Sequence, residues 1–255
     1  MTNSIVLAAV AFLFPVAGGA IGMASRRWLS SHHLSKDSTD VVKLACGLIA
    51  TLVALVLSLL VSSGNSFHNE VENEYKQALV GVSQLDQRLA AYGPEADESR
   101  RLLRSMLVAN AKQRWPLEDF GPSPPLDRPV PAALLDLERQ ILKLHPTNDE
   151  QKYFQAQALQ LTAGLTQIQR LISNEERSNR LPLPILIAVI LCSAAIFGSF
   201  GLYAEPNGVV LLSIGVAAAA VAGSVFLIVE LNTPFSGWLQ LPSAPLRTLL
   251  AGLAM

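Results

Sequence analysis

Four stretches of the chain lack the polar positions that interrupt a surface helix every third or fourth residue. They are Ser4 to Ala24, with Pro15 inside it, Val41 to Val61, Leu183 to Tyr203, entered through Pro182 and Pro184, and Val209 to Val229. Each is long enough to cross about 30 Å of hydrocarbon, which takes roughly 20 helical residues. The pattern between the second and third runs is different. Val71, Tyr75, Ala78, Val82, Leu85 and Leu89 recur at alternating spacings of four and three, which predicts a helix with one apolar stripe. Phe154, Ala158, Leu161, Leu165, Ile168 and Ile172 form a second stripe of the same kind. No alternating β pattern of any length occurs.

Punctuation completes the expected layout. Gly93-Pro94 breaks the first extramembrane helix, and Glu95, Asp97 and Glu98 then suit the positive end of a second helix. "GPSPPLDRPVP" carries five prolines and reads as an extended connector. "AALLDLERQILKLHP" is a short amphipathic helix stopped by Pro146, and Thr147 to Glu150 has capping-box spacing for a last long helix. The expected organisation is all-α. Residues 1–63 hold the first two spans, 64–180 a helical extramembrane insertion, 181–231 the third and fourth spans, and 232–255 an amphipathic tail.

The second span does not stop where it leaves the bilayer. Its sequence runs through Gly64 and Asn65 into "HNEVENEY" without a turn signal. That predicts one rod of about 50 residues, roughly 75 Å at 1.5 Å per residue, with the helix from Thr147 as its antiparallel partner.

Composition agrees with a membrane protein. Of 255 residues, 51% are hydrophobic and only 15% charged, and the mean hydropathy is +0.37, too apolar for an ordinary soluble domain. The formal net charge of -1 and the absence of a basic run give no reason to expect nucleic acid as a partner. The partner that composition implies is the bilayer. "MTNS" lacks the positive start of a signal peptide, so the first run reads as a span. Cys46 and Cys192 lie within apolar runs and read as small buried residues.

Chemistry is sparse. No phosphate-binding glycine loop, metalloprotease helix or nucleophile elbow is present, so no enzyme and no cofactor are expected. His32-His33 and the acidic "HNEVENE" read as solvated surface rather than metal sites. Arg100, Arg101 and Arg104 read as a solvated face, with an anion or lipid-headgroup contact as the alternative. The informative pattern lies on the second span. At 100° per residue, Asp40, Gly47, Ser58 and Ser62 fall within about 20–40° of Thr51. Leu55 lies between them, and Asn65, Asn69, Glu72 and Lys76 continue near the line. Such a stripe faces a neighbouring helix or water, seldom lipid. Helix packing and water lining both remain open for Thr51, Ser58 and Ser62. In a ring of copies Leu55 could form a dewetted constriction.

Elsewhere in the membrane runs, Gly18-x-x-x-Gly22, Ala194-x-x-x-Gly198 and Gly215-x-x-x-Ala219-x-x-x-Gly223 are small-residue ladders expected where helices approach closely. Glu230, at the exit of the fourth span, admits a cation contact, a basic partner or a structural role in ending the span, the last two being favoured.

Three segments resemble the bacterial bestrophin-like family of four-span membrane proteins. They are "DVVKLACGLIATLVALVLSLLVSS", "LDQRLAAYGPEADESRRLLR" and "ELNTPFSGWLQLPSAPLR". The resemblance implies distant kinship with bestrophins, pentameric and mainly anion-conducting channels whose second span lines the pore, and so implies further copies of the chain, in a pentamer, and inorganic ions as partners. It also implies a cytoplasmic insertion in the inner cell membrane. Basic residues Arg26, Arg27 and Lys36 in the short first loop argue for the opposite orientation. Lys76, Arg170, Arg177, Arg180 and Arg247, on the insertion side, partly restore the balance. The second span lacks the phenylalanines of a bestrophin neck, and no acidic calcium clasp is evident. Two function classes follow: an oligomeric channel, or a non-conducting scaffold or sensor acting through the insertion.

Overall fold

The computed structural model describes residues 2–26, 28, 36–121, 128–178, 183–204 and 207–253. The elements in chain order are α1 (Thr2–Ser25), α2 (Lys36–Tyr92), a 3-10 turn (Pro94–Ala96), α3 (Asp97–Arg114), α4 (Val130–Leu142), α5 (Asp149–Ser178), α6 (Leu183–Tyr203), α7 (Gly208–Leu231) and α8 (Ala244–Gly252). The protein is all-helical, with no strand among the described residues. Helices α1, α2, α6 and α7 are long and apolar enough to cross a membrane. Helix α2 runs for 57 residues without a break, so no turn interrupts it between Ser62 and Asn69. The five-proline connector lies mostly outside the described residues, as do His32-His33 and the junction of α5 with α6.

The chain divides into two compact units. The first comprises Met1–His68, Arg180–Thr233 and Gly237–Leu239. Its tightest contact is backbone to backbone. A Cβ on Gly18 would run into the carbonyl of Ala194, one on Gly22 into that of Gly198, and one on Gly201 into that of Gly19. The ladders of α1 and α6 therefore face each other, and small residues are what let the two backbones approach. Helix α7 packs chiefly on α1, with Ile214 against Gly19 and Ile214 and Ala218 sharing a core with Phe197 of α6 and Phe12 and Val16 of α1. The α7 ladder is not used in this packing: a Cβ at Gly215 or Gly223 would meet nothing within 4 Å. Small size permits close approach but does not supply the partner. Helix α2 contributes Leu57 to a core with Ala11, Leu186, Ile190, Val225 and Ile228, flanked by its own Val53, Leu60 and Val61.

The second unit comprises Asn69–Asn179, Pro234–Ser236 and Gln240–Met255. The four-three stripe of α2 is buried through Val82, Leu85, Leu89 and Tyr92, against Leu103 and Met106 of α3, Leu137 and Ile141 of α4, and Ala158 and Leu165 of α5. Gly93 ends α2 at φ 123°, a conformation that costs glycine little. Arg100 is part of the packing rather than a solvated face. Its guanidinium donates to both Asp86 oxygens at 2.7 and 3.1 Å, and that hydrogen bond raises its pKa above the ordinary arginine value. The start of α5 also differs from expectation by one residue. Asn148 Oδ1 accepts from the Gln151 N–H at 2.7 Å, while Gln151 Oε1 accepts from the Thr147 N–H at 2.8 Å. The reciprocal pair is thus Asn148 with Gln151, because the helix starts at Asp149, which makes Asn148 the residue before it and Gln151 its third residue.

The C-terminal segment closes the second unit. Trp115 packs among Tyr75, Phe120 and Phe235, and its Nε1–H donates to the Leu241 carbonyl at 3.1 Å. Glu118 accepts from the Ser243 hydroxyl and from Arg247. The Ser243 hydrogen bond first, and Arg247 second, hold its pKa below the usual carboxylate value.

Substituting Gly22→Ala should destabilise the protein by about 1–3 kcal/mol, because the added methyl is forced against a backbone carbonyl. The same change at Gly164, where a Cβ meets nothing within 4 Å, should be neutral or slightly stabilising, as alanine favours the helix. Thermal unfolding of the two purified variants reads the difference.

Candidate functional site

The polar stripe of α2 can now be placed against its own protomer. Leu57 is buried, Val53, Leu60 and Val61 are partly buried, and Gly64 lies against the Leu231 side chain and Asn232. These residues lie on one side of the helix, about 80–180° from Thr51 at 100° per residue. Thr51, Leu55, Ser58 and Ser62 are all exposed, on the opposite side. No described helix of the same chain covers them. The Thr51 hydroxyl returns a hydrogen bond to the Leu48 carbonyl at 2.7 Å, the usual way a lone hydroxyl is satisfied within a span. Leu48, Leu52 and Leu59 flank the stripe and are exposed too. Helix α2 is the least covered of the four spans: 11% of its most apolar stretch is buried, against 22, 39 and 28% for α1, α6 and α7.

Farther along α2, Asn65 and Asn69 are exposed. Lys76 Nζ pairs with Glu72 Oε1 at 2.7 Å, one helical turn apart. That pair leaves the stretch without net charge from these two groups. Exposed i, i+4 pairs of this kind contribute only a few tenths of a kcal/mol.

Glu230 sits apart from the stripe and does a different job. It is fully buried, and its Oε2 accepts from the backbone N–H of Trp238 at 2.5 Å and of Leu239 at 3.3 Å. Its Oε1 is buried without a hydrogen-bond partner. The carboxylate thereby holds the 237–239 loop against the end of α7. Gly237 makes this possible with φ 99°, and a Cβ there would collide with the Glu230 carboxylate. Asn232 and Thr233 return hydrogen bonds to the last turn of α7 through the carbonyls of Ile228 and Val229. Among the described residues, no three His, Cys, Asp or Glu side chains group as a metal site.

The Bestrophin-like domain profile matches residues 12–246. The chain belongs to the Bestrophin-like family. Crystal structures of point variants of a bacterial bestrophin homologue from Klebsiella pneumoniae share its fold. Two align with a TM-score of 0.70 at 16% identity, covering 96% of this chain and 97% or 95% of theirs. Another aligns with a TM-score of 0.68 at 18% identity, covering 96% of each chain. No protein with a curated description matches the sequence.

In this bestrophin-like chain the Glu230 loop is the feature that sequence reading left unresolved. The "TPFSGW" segment does signal a turn, with Pro234 and Gly237 three apart. Nothing in one sequence says that a carboxylate four residues before that proline accepts the loop's N–H groups. Two substitutions test the arrangement. Gly237→Ala should cost about 1–3 kcal/mol from the positive φ alone. Glu230→Ala should cost at least as much, because it leaves two part-buried N–H groups without this acceptor, each worth up to about 1–3 kcal/mol. Glu230→Gln keeps an acceptor oxygen and should lose less. Melting of Glu230→Ala at the wild-type temperature would remove the structural role.

Proposed function

We propose that this bestrophin-like protein assembles as a homo-oligomeric ion channel, a ring of five copies with the Thr51 face of α2 lining the pore. One observation carries the reading. The polar face of the least covered span points away from its own protomer. Polar side chains on a span are stable against water or another helix and poorly placed against lipid. A ring of copies gives Thr51, Ser58 and Ser62 a water column, and it gives the flanking Leu48, Leu52 and Leu59 a neighbouring subunit. Leu55 then forms the narrow apolar ring, a constriction that gates by excluding water. Asn65, Asn69, Glu72 and Lys76 form the pore mouth. Since Glu72 and Lys76 offset each other, preference for anions rests on the family resemblance rather than on charge along this face.

Purified protein in planar bilayers tests the proposal. Leu55→Ser should raise the current or make the channel leak, because a polar ring removes the dewetting barrier. Leu52→Ser, on the flank, should change it much less. Equal effects at the two positions, or no current under any ionic condition, would favour a scaffold or sensor.

The proposed orientation puts 64–180 in the cytoplasm of a cell whose inner membrane holds the four spans. Cys192 is exposed and Cys46 buried, so a Cys192→Ala background suits labelling. In that background Leu117→Cys, at a position 99% exposed, should be shielded from an impermeant thiol reagent in intact cells. Trp28→Cys, at a position 90% exposed, should be labelled. The reverse pattern would show that the basic first loop sets the topology.

A further inference from the structure

Helices α6 and α7 follow each other in the chain, yet each packs on α1 far more than on the other. The glycines of α1 explain it: Gly18 and Gly22 admit the α6 backbone, and Gly19 admits the Ile214 side chain of α7. An apolar groove of about 340 Å³ is left between α6 and α7. Phe197 and Ile214, both buried, form its floor, and the more exposed Phe200, Val209 and Ala217 form its walls. The Ser213 hydroxyl on the lining donates to the Val209 carbonyl at 2.9 Å, so the side chains of the groove ask for no polar filler. Both helices are membrane spans, and at hydrocarbon depth there is no water to fill such a groove.

The place of the groove along the spans decides what else its occupant carries. Phe200 lies one turn from the end of α6, where its carbonyl accepts from the Ala204 N–H at 2.9 Å. Val209 is the second residue of α7. The groove therefore opens at the edge of the hydrocarbon, the level at which Tyr203 closes α6 and where amphipathic rings are at home. Arg26 stands at the same edge, its Nη1 donating to the Ala204 carbonyl at 2.9 Å. A guanidinium carries five N–H donors, and this bond takes one of them. The planar fork of the remainder matches phosphate oxygens in pairs.

We infer that the α6–α7 groove is a binding site for one phospholipid of the surrounding bilayer. An acyl chain lies along Phe197, Val209 and Ala217, and a phosphate oxygen accepts from the Arg26 guanidinium. The groove alone would take any apolar chain, and the arginine alone any phosphate. Their juxtaposition across one helical turn, about 5.4 Å, selects a molecule in which the two are joined. The site uses α1, α6 and α7 and leaves out the Thr51 face of α2, so it stands or falls separately from the ion pathway.

Palmitoyl-oleoyl phosphatidylglycerol and the diacylglycerol with the same chains are matched probes. Each is titrated into the full-length protein in detergent and counted by native mass spectrometry. One saturable phosphatidylglycerol per chain, bound at least about tenfold tighter than the diacylglycerol, is the expected result. Arg26→Gln should weaken phosphatidylglycerol about tenfold and leave the diacylglycerol unchanged, while Arg26→Lys, which keeps a cation, should lose less. Ser213→Phe fills the groove from an exposed position and should abolish saturable binding of both probes. Val209→Trp, at a position 73% exposed, fills it from the same helix and decides the matter if Ser213→Phe does not melt cooperatively. Equal affinity for the two probes, or an unchanged preference in Arg26→Gln, would overturn the phosphate contact. Saturable binding that survives the groove-filling variants, or none in the wild type because a second copy's side chains occupy the groove, would overturn the site.

Discussion

Helices in hydrocarbon gain nothing from hiding apolar surface, because lipid tails are as apolar as leucine. What holds spans together is contact, and the closest contact in the membrane unit is that of α1 with α6. Gly18, Gly19 and Gly22 bring one backbone against Ala194, Gly198 and Gly201 of the other. Helix α7 then lies on the α1 side of that pair, with Ile214 against Gly19 and Ala218 in the core it shares with Phe12, Val16 and Phe197. Helix α2 adds a single row, centred on Leu57. Tight packing in one place leaves α2 held by one side, and that is why its polar side is free to meet something outside the protomer.

The second unit is organised by different forces. Here apolar side chains close a shared core, and the four-three stripe of α2 supplies a core residue at every repeat from Val82 to Tyr92. Polar contacts then fix directions within it. The Asp86–Arg100 fork ties α3 to α2, the Asn148–Gln151 box starts α5, and Trp115 with Glu118 receives the C-terminal segment.

Periodicity made the four spans, the long α2 and the two extramembrane stripes readable, since each is a property of one helix and its spacing. Gly93-Pro94 was readable for the same local reason. The facing ladders of α1 and α6 were readable as candidates, but so was the ladder of α7, where a Cβ at Gly215 or Gly223 would meet nothing within 4 Å. Local pattern tells where a helix can be approached closely, and tertiary arrangement decides which approach occurs. Arg100 shows the same limit: its partner Asp86 is on another helix. The capping pair shifted by one residue because α5 starts at Asp149, a boundary that the run Thr147 to Gln151 left open. For the candidate pathway, the sequence arranged Thr51, Leu55, Ser58 and Ser62 on one face. Only the packing of Leu57 and Val53 on the far side revealed which way that face turns. Glu230 was conspicuous as a carboxylate at the edge of a span, yet its partners are backbone N–H groups that no side-chain pattern advertises.

The α1–α6 contact also constrains how the chain is made. Gly22 meets Gly198, so the partner surface of the first span is translated long after the first span itself. At about 5–20 residues per second, the glycine face of α1 waits on the order of 10–35 s beside the translocon or in lipid. During that interval it is an exposed adhesive strip, open to any other small-residue helix being inserted nearby. Assembly of the membrane unit is therefore paced by synthesis of α6, and a pause between the second and third spans would prolong the period of vulnerability.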